Sequence, residues 1–596
     1  MLTRNESSSC RNTANAVGGH WDVANEDDSV VGDSSGSSAL GRRTIPVQAQ
    51  HSGWNDVGFH GSTAIRTPNI DDLAYSGIML NNYYVNPICT PSRSSLLTGK
   101  YPIHTGMEHS VILETEPWGL GLDEILLPEY LAPLGYTRHI VGKWHLGFFQ
   151  KEYTPTYRGF QTHFGYWSGK HDYWSHFSEK YISNNFFMTG LDMRLNMEPA
   201  HNTTGRYTTD LLTEAATLII QHHKVDESPL FLYLSHLAVH SANKEQPLQA
   251  PKEVVDQFSH IKDEKRRTYA AMVAKLDESV GRVVEALAQK NMLNNTILIF
   301  STDNGGAAAG FNYNAGSNWP LRGVKNTRWE GGVKGVGFIW SPLLKVHGVR
   351  SDKMMHIVDW LPTLLSAAGV KRSDLPPDLD GISMWESFLE EPNSDHSPRS
   401  EMLISHDPLY GVSVYRYGYW KILNGTTYDG WWDGWYGPAE QGTSQDTSAV
   451  ENEIRINNVW ISKSKTNEVR DAAADGSPRI ISQVEEALQG AGLWSYSYSD
   501  SIPFKIDCGQ KVLPRMGTPC NPLHGRPCLF HIKEDPCEYH NLADFYPNIV
   551  DSLWKRMMTI AATAVPARNQ PHDPEANPAK RCYLWSTWRS PEVAFS

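Results

Sequence analysis

The strongest constraint on the fold is an alternation of short apolar runs with helical segments between residues 53 and 395. Apolar runs of strand length lie at residues 137–141, 229–234, 296–301 and 333–340. Helical patterns lie at residues 213–223, 266–290 and 357–368, and the longest repeats apolar residues every three or four positions. Strands that alternate with helices predict a mostly parallel sheet covered by helices on both faces. Ligand sites in such sheets lie beyond the carboxyl ends of the strands.

A second, smaller unit is expected after residue 395, where the alternation stops. Residues 412–423 predict a β-hairpin that turns at Gly418, and residues 425–500 form an irregular insertion with one short helix near residues 481–488. We therefore predict a disordered leader at residues 1–52, a main α/β domain at 53–395 and a C-terminal α+β domain at 396–596.

Charge and hydropathy exclude two classes of partner. The chain has 53 Lys and Arg residues against 66 Asp and Glu residues, a net charge of −13, and it contains no long basic run. This balance argues against a nucleic-acid partner. No apolar run is long enough for a membrane-spanning helix.

Residues 1–41 are rich in Ser, Gly, Asp and Asn, and no signal peptide is visible in them.

The cysteines and glycosylation motifs indicate the secretory route, although no signal peptide is visible. Clustered cysteines in loop-rich sequence predict disulfides, and closely spaced C-x-x-C pairs typical of zinc sites do not occur. We expect Cys528 to pair with Cys537, or each of them to pair with Cys508 or Cys520, which leaves Cys582 or Cys10 unpaired. Asn-x-Ser/Thr sequons occur at Asn5, Asn202, Asn294 and Asn424.

The segment that begins at Cys89 carries the sharpest chemical signal, reading Cys-Thr-Pro-Ser-Arg from Cys89 to Arg93. One interpretation is a buried structural cysteine before a helix, and another is a thiolate nucleophile. A tyrosine-phosphatase loop is excluded, because it needs an arginine where this chain has Ser95.

With its continuation LLTGKYPIHTGM at residues 96–107, this segment resembles the signature of the sulfatase family. Further matching segments follow in family order, namely GKWHLG at 142–147, AVH at 238–240, DNGG at 303–306, WPLRGVK at 319–325 and WEGG at 329–332. Residues 54–61 and 318–323 are most similar to the arylsulfatase B-like branch. The resemblance implies an alkaline-phosphatase-like sulfatase fold with its catalytic domain at 53–395.

The resemblance also implies a mechanism and its residues. Cys89 would be converted to the aldehyde formylglycine by the formylglycine-generating enzyme, and one hydroxyl of the hydrated aldehyde would attack the sulfur of a sulfate ester. The remaining roles fall to Arg93 as stabiliser of the nucleophile, Lys143 and Lys325 as sulfate ligands, His240 as proton donor to the leaving group, and His145 in expelling sulfate. Fixed cations and histidines suit a reaction that develops negative charge and moves protons.

By the same resemblance, the substrate is a sulfated N-acetylgalactosamine of a glycosaminoglycan, and the protein is lysosomal or secreted. A phosphate or phosphonate ester hydrolase of the same fold is the alternative enzyme, and a sulfoglycan-binding protein without turnover is the non-enzymatic alternative. Trp431, Trp432 and Trp435 are either a sugar-stacking platform or packing residues, and they are assigned no role.

The sequence departs from the family at its calcium site. Family members begin the catalytic domain with an apolar strand that ends in two aspartates, and here Gln50 and His51 stand in their place after Pro46. One Ca²⁺ would then be held only by Asp303, Asn304 and the oxygen that replaces the Cys89 sulfur. Asp71 and Asp72 are no replacement, because they fall in the helix-like segment 68–77.

Two hypotheses explain this departure. Unrelated sequence replaces the family's first segment, or the protein is a non-catalytic relative. We favour the first, because it accounts for the missing strand and the missing signal peptide together. On either hypothesis, the chain as written is predicted to have little or no sulfatase activity.

Overall fold

The computed structural model describes residues 43–49 and 52–590, except 184–185, 391–396, 438–480, 495–503 and 509–519. Its strands are β1 (Arg43–Ala49), β2 (Ile78–Leu80), β3 (Tyr83–Tyr84), β4 (Thr137–Lys143), β5 (Thr162–Tyr166), β6 (Phe177–Ser183), β7 (Phe186–Leu191), β8 (Arg194–Leu195), β9 (Glu198–Pro199), β10 (Leu230–Ser235), β11 (Thr296–Thr302), β12 (Gly337–Trp340), β13 (Val349–Ser351), β14 (Met355–His356), β15 (Glu401–Asp407), β16 (Val412–Tyr417), β17 (Trp420–Asn424) and β18 (Cys528–His531). Its α-helices are α1 (Pro68–Tyr75), α2 (Cys89–Thr98), α3 (Pro102–Thr105), α4 (Leu127–Leu131), α5 (Thr208–His222), α6 (Lys252–Val255), α7 (Glu264–Gln289), α8 (Glu330–Val333), α9 (Trp360–Ala367), α10 (Trp385–Leu389), α11 (Gln483–Gly490) and α12 (Pro547–Ala561).

The main sheet confirms the predicted α/β class. Its ten strands run in the order β13-β2-β12-β11-β1-β10-β4-β5-β8-β9, and the central strands β11, β1, β10, β4 and β5 are parallel. Both faces of the sheet are buried. In β10, Leu230, Leu232 and Leu234 belong to one hydrophobic core, and Phe231 and Tyr233 belong to the other. Side chains that alternate in this way place one apolar layer on each face, under helices.

The prediction that residues 44–52 lack a strand is wrong. Residues 43–49 form β1 at the centre of the main sheet, where every residue from Arg43 to Ala49 has a β11 partner. Toward β10 the register pairs Thr44, Val47 and Gln48 but not Pro46, which has no N–H to donate. Two flanking strands therefore hold a segment whose local sequence argues against a strand. The remaining leader, residues 1–42, lies outside the described residues.

The C-terminal part contains the predicted hairpin, formed by β16 and β17. Together with β15 and β18, it forms a four-stranded antiparallel sheet. Two segments that we assigned to this second domain pack on the first. Val484 and Leu488 of α11 join the core beneath α1 and α7, and Trp585 and Trp588 join the core on the opposite face of the main sheet. The boundary at residue 396 therefore does not separate the chain into two independent cores.

A buried cluster of charges joins the two sheets. Lys421 of β17 lies 2.9 Å from a carboxylate oxygen of Glu330 in α8 and 2.7 Å from one of Glu538, and all three side chains are fully buried. Burial opposes the ionised form of Glu330, but the charges of Lys421, Lys334 and Arg416 outweigh it and lower the pKa of Glu330 to about 2. Burial raises the pKa of Glu538 to about 7.

The cysteines form disulfides by one of the predicted pairings. Cys508 is bonded to Cys537 and Cys520 to Cys528, with Cα–Cα distances of 5.6 and 5.8 Å. Cys582 is also disulfide-bonded, so the expectation that it is the unpaired cysteine is not met. Cys10, the alternative, lies outside the described residues. Among the helices in the described ranges, none is long and apolar enough to cross a membrane.

Candidate active site

The residues singled out in the sequence meet at the carboxyl edge of the main sheet. Lys143 is the last residue of β4, and His145 follows it closely. His240 lies in the loop after β10, and Asp303 and Asn304 come directly after β11. Because these strands are parallel neighbours or lie one strand apart, their ends converge, as expected for ligand sites in such sheets.

Cys89 is the first residue of α2, and Ile88 before it has extended backbone. The cysteine is 2% exposed and is not part of a disulfide. Its Sγ lies 3.6 Å from Oδ1 of Asn304, so the start of α2 faces the end of β11. The Thr90 hydroxyl donates to the backbone carbonyl of His145 and ties this end of the helix to the segment after β4.

Arg93 lies one helical turn after Cys89, on the same face of α2. Its guanidinium is fully buried and contacts the ends of three parallel strands. It donates to the Ser235 hydroxyl at 2.7 Å, to the Lys143 carbonyl at 3.1 Å and to the Asp303 carboxylate at 3.3 Å. These bonds fix α2, which begins at Cys89, against the sheet edge and make Arg93 a rigid cation one helical turn from Cys89.

His145 is held in one orientation and one tautomer. Its backbone is left-handed, with φ 61°, and its Nε2 lies 2.8 Å from the carbonyl of Ile112. A carbonyl only accepts, so Nε2 carries the proton and Nδ1 carries a lone pair. Among the described residues, Nδ1 has no hydrogen-bond partner. Burial and the charge of Lys143 hold the pKa of His145 well below its usual value, which keeps the ring neutral and leaves a lone pair on Nδ1.

His240 and Lys325 form the opposite wall. Nδ1 of His240 donates to the Ser241 carbonyl at 2.7 Å, so Nε2 carries the lone pair, and it lies 3.5 Å from the Lys325 ammonium. Burial lowers the pKa of His240 well below its ordinary value, and Lys325, Lys143 and Lys170 lower it further. Without an anion in the site His240 is neutral, and a bound anion would raise its pKa.

Two lysines complete the positive lining. Lys143 is fully buried, and burial lowers the pKa of its ammonium to about 8. Lys170 was missed by the sequence analysis. Its Nζ donates to the Ala242 carbonyl at 2.9 Å, and its charge acts on both His240 and Lys325. Lys170 follows β5, a strand that the sequence analysis did not predict; recognising that strand would have placed a lysine at the same sheet edge.

Asp303 and Asn304 supply some, but not all, of the oxygen ligands that a metal cation needs. Asp303 is fully buried, and its Oδ1 has no hydrogen-bond partner among the described residues. Oδ1 of Asn304 lies 3.6 Å from the Cys89 sulfur, so one hard oxygen adjoins this position. Ala49 of β1 pairs with Thr302, the residue before Asp303, and the two positions after Ala49 are Gln50 and His51, which lie outside the described residues. No cluster of three acidic, His or Cys metal ligands occurs in the described part of the chain.

Asp71 and Asp72 lie in α1, as expected, and both serve packing. Asp71 accepts hydrogen bonds from the Phe59 backbone N–H and the Thr67 hydroxyl. Asp72 accepts one from the hydroxyl of Ser482, the N-cap of α11. Their carboxylates therefore fasten α1 to neighbouring segments.

Known proteins resemble the chain in sequence and in fold. The Sulfatase family profile matches residues 43–370. Arylsulfatase J of Mus musculus is 38% identical over 550 residues, which cover 92% of this chain and 80% of that protein. N-acetylgalactosamine-6-sulfatase of Mus musculus is 32% identical over 353 residues, covering 57% of this chain and 64% of that protein. The crystal structure of Ps i-CgsB has a TM-score of 0.63 at 25% identity, over 88% of this chain and 94% of that chain.

The expected resemblance to the sulfatase family and its alkaline-phosphatase-like α/β fold is thereby confirmed. The arylsulfatase B-like branch stays a proposal, since the relatives reported above carry other names. The family profile begins at β1 and spans the strands that carry Lys143, His240 and Asp303. On this evidence the chain belongs to the sulfatase family and is a sulfuric ester hydrolase.

Proposed function

We propose that this protein removes sulfate from a sulfated amino sugar by means of a formylglycine formed from Cys89. The observation that carries the proposal is the position of Cys89. Cys89 is the first residue of α2, and its Sγ faces Asn304. Arg93, one helical turn later, binds the carboxylate of Asp303. The family's Cys-x-Pro-Ser-Arg sequence occupies this turn. Buried cations around such a nucleophile favour an anionic substrate.

The first step is transfer of the sulfuryl group. One hydroxyl of the hydrated aldehyde at position 89 gives its proton to water and attacks sulfur, a new S–O bond forms, and the bond from sulfur to the sugar oxygen breaks. Lys143 and Lys325 are the proposed ligands of the sulfate oxygens, since the charges of Cys89 and Lys325 both act on Lys143, and Arg93 fixes the nucleophile. His240 gains a proton at Nε2 when the anion sits beside Lys325, and it passes this proton to the leaving sugar oxygen.

The second step regenerates the aldehyde. The remaining hydroxyl at position 89 loses its proton, the carbon–oxygen bond to sulfate breaks, and sulfate leaves. Nδ1 of His145 is the proposed proton acceptor, because its lone pair has no hydrogen-bond partner among the described residues. Water then hydrates the aldehyde for the next cycle. In this scheme the two histidines have separate tasks, and their opposite tautomers suit those tasks.

Asp303, Asn304 and the oxygen at position 89 are the proposed Ca²⁺ ligands. The unsatisfied Oδ1 of buried Asp303 supports this assignment. When bound, the ion would supply positive charge to orient the oxygen nucleophile and to offset the charge of the sulfate group. Gln50 and His51 contribute no carboxylate.

The proposed substrate is a sulfated N-acetylgalactosamine of a glycosaminoglycan, cleaved by an enzyme of the arylsulfatase B-like branch. The name of one relative, N-acetylgalactosamine-6-sulfatase, supports the sugar. A lysosomal or secreted location is supported by the disulfides and by the exposed sequon residues Asn202 and Asn294. The formylglycine-generating enzyme is the proposed partner in maturation.

The test compares protein made in cells with and without the formylglycine-generating enzyme. Mass spectrometry of the peptide that contains residue 89 should find formylglycine only in the first preparation. With aspartates at positions 50 and 51, that preparation should hydrolyse an aryl sulfate faster than the corresponding aryl phosphate, and the Cys89→Ala variant of the same protein should hydrolyse neither. An unmodified thiol at full occupancy, or a preference for the phosphate ester, would refute the proposal. Residues 50 and 51 should be tested as glutamine and histidine and also as two aspartates, so that a weak metal site is not mistaken for a wrong function.

A further inference from the structure

We propose that Tyr428 and Trp431, together with Tyr313, form a carbohydrate-binding rim beside the cationic site and stack on the sugar ring that carries the sulfate. The inference rests on the proposed function and adds residues that determine which sulfate esters the site accepts. We call these three side chains the aromatic rim. Trp431 belongs to a Trp cluster, with Trp432 and Trp435, to which the sequence alone assigns no role.

The tryptophans of this cluster differ sharply in exposure. The Trp431 side chain is 82% exposed, so nothing in the described structure covers it. By contrast, Trp432 packs against Phe311 with ring centroids 5.2 Å apart, and Trp435 stacks on the Arg322 guanidinium. Trp432 and Trp435 therefore anchor the loop, and Trp431 is presented to solvent. Tyr428 and Tyr313 are also exposed, at 45% and 53%. Phe311, two residues before Tyr313, packs against both Tyr428 and Trp432, the residue after Trp431. Large exposed aromatic side chains attached to one packed cluster indicate a binding surface.

Hydrogen bonds attach the Tyr428 side of the rim to the catalytic lysine. The Thr427 hydroxyl donates to the carbonyl of Asn326, and the Asn326 side-chain amide donates to the Tyr428 hydroxyl at 2.6 Å. Asn326 directly follows Lys325, and its backbone N–H donates to the Pro87 carbonyl, shortly before Cys89. The Tyr428 ring is thereby held next to the segment that supplies the sulfate-binding charge.

The Tyr313 side of the rim is attached to the other wall of the site. Asn314, the next residue, donates from its side-chain amide to the Val239 carbonyl and the Ser241 hydroxyl, on either side of His240. Phe311 lies between the two sides, with its ring 5.4 Å from that of Tyr428. The rim is thus connected both to the proposed proton donor and to the proposed sulfate ligand.

The backbone of the rim is strained in a way that packing alone does not explain. Tyr428, Asp429, Asn312 and Tyr313 all have left-handed backbones, with φ between 53° and 58°. This conformation is unfavourable for bulky side chains such as tyrosine, which are rarely found in it. The strain presents Tyr428 and Tyr313 to solvent and does not bury them. Strain of this kind, when it exposes a side chain beside a reactive site, points to a role in binding.

The chemistry of this surface favours a sulfated sugar. A pyranose ring has apolar C–H faces that pack on flat aromatic side chains, and its hydroxyls remain in water. Lys325, Lys143 and Lys170 make the adjacent site positive, which suits the attached sulfate. A neutral protein partner would gain nothing from these buried cations. The rim therefore fits a ligand with one anionic group and one flat, partly apolar ring.

Binding measurements separate the rim from the sulfate site. Calorimetry would measure the Kd of a sulfated N-acetylgalactosamine-containing tetrasaccharide and of inorganic sulfate, in the Cys89→Ala background to prevent turnover. Trp431→Ala should raise the Kd of the tetrasaccharide about tenfold or more, and leave that of inorganic sulfate within about twofold. Trp431→Phe should restore most of the affinity, because it keeps an aromatic face. Tyr428→Phe keeps the aromatic ring that would stack on the sugar and removes only the hydroxyl that Asn326 contacts. It therefore separates the contribution of ring stacking from that of the hydrogen bond that anchors the ring.

The matched control is Tyr157→Ala. Tyr157 is 48% exposed and lies before β5, near the amino edge of the sheet and away from the site, so neither Kd should change. Three results would each overturn the proposed rim. They are an unchanged tetrasaccharide Kd in Trp431→Ala, an equal loss of affinity for the tetrasaccharide and for inorganic sulfate, and no tetrasaccharide binding by the parent protein. If the rim binds the tetrasaccharide but converted protein with aspartates at positions 50 and 51 hydrolyses no aryl sulfate, the proposed function fails and the rim stands. If the converted protein hydrolyses aryl sulfate but Trp431→Ala leaves the Kd of the tetrasaccharide unchanged, the proposed function stands and the rim fails.

Discussion

The His145 imidazole lies so close to the backbone of Gly169 that a Cβ on residue 169 would stand 2.8 Å from its Cε1 atom. Real Cβ atoms do not approach other atoms this closely, so only glycine fits at this position without moving the ring. The other restraint on the ring is the hydrogen bond from Nε2 to the Ile112 carbonyl. One backbone contact and one hydrogen bond therefore hold His145 in place.

Substituting Gly169 by alanine should displace His145 without unfolding the protein. In protein with aspartates at positions 50 and 51, we expect kcat for aryl sulfate hydrolysis to fall about 10- to 100-fold, because the proposed proton acceptor, moved by a fraction of an ångström, loses alignment. The melting temperature should change little. Gly490→Ala is the control, since a Cβ there meets nothing within 4 Å. Unchanged kcat in Gly169→Ala would show that the position of His145 does not limit turnover.

Replacing Lys325 by methionine should have two separable effects. The pKa of His240 should rise, because the Lys325 charge is the strongest of the nearby charges that lower it. NMR titration of the His240 ring measures this directly. Loss of this proposed sulfate-binding cation should also lower kcat/KM for an aryl sulfate about 100- to 1,000-fold. Lys252→Met, at an exposed lysine paired with Asp256, should change neither quantity. A constant His240 pKa in Lys325→Met would contradict the electrostatic contact.

The buried cluster around Lys421 should make stability depend on pH. The folded pKa of Glu538 is raised from 4.5 to about 7, so the folded state binds a proton in this window that the unfolded state has lost. Stability should therefore fall as pH rises from about 4.5 to about 7, by about 1–3 kcal/mol from this group. In Glu538→Gln this decline should be smaller, as measured by denaturant unfolding at pH 5 and pH 8.

The control for this measurement is Glu575→Gln. Glu575 forms an exposed ion pair with Lys580, which should contribute little to stability at either pH. If Glu538→Gln and the parent protein lose the same stability between pH 5 and pH 8, the protonation assigned to Glu538 is wrong.

Restoring two carboxylates after β1 should complete a calcium site. Ala49 is paired with Thr302, and Gln50 and His51 follow Ala49 as Asp303 and Asn304 follow Thr302. The double variant Gln50→Asp/His51→Asp should bind Ca²⁺ about 100-fold more tightly than the parent by calorimetry, because two anionic ligands are added. Aryl sulfate turnover should rise with it. Gln50→Asn/His51→Asn adds no charge and should change neither. Equal calcium affinity in all three proteins would show that these positions do not face the ion.

The sequence determined the parts of this protein that depend on local pattern. Apolar periodicity predicted α7 over residues 266–290, and the structure has it at Glu264–Gln289. Short apolar runs predicted β4, β10 and β11, and the polar residues after them converge at one edge because parallel strands end together. The spacing of Cys89 and Arg93 by one helical turn placed both on the same face of α2.

The tertiary structure decided what depends on contacts between distant segments. Pro46 argues against a strand when read locally, yet pairing with β10 and β11 holds β1 in the sheet, because the neighbouring strands supply partners that no local pattern shows. Lys170 entered the site only through the position of β5, and the tautomers of His145 and His240 are fixed by carbonyls of Ile112 and Ser241. Burial, which lowers the pKa of Lys143 and of both histidines, exists only once distant segments of the chain have packed around these residues.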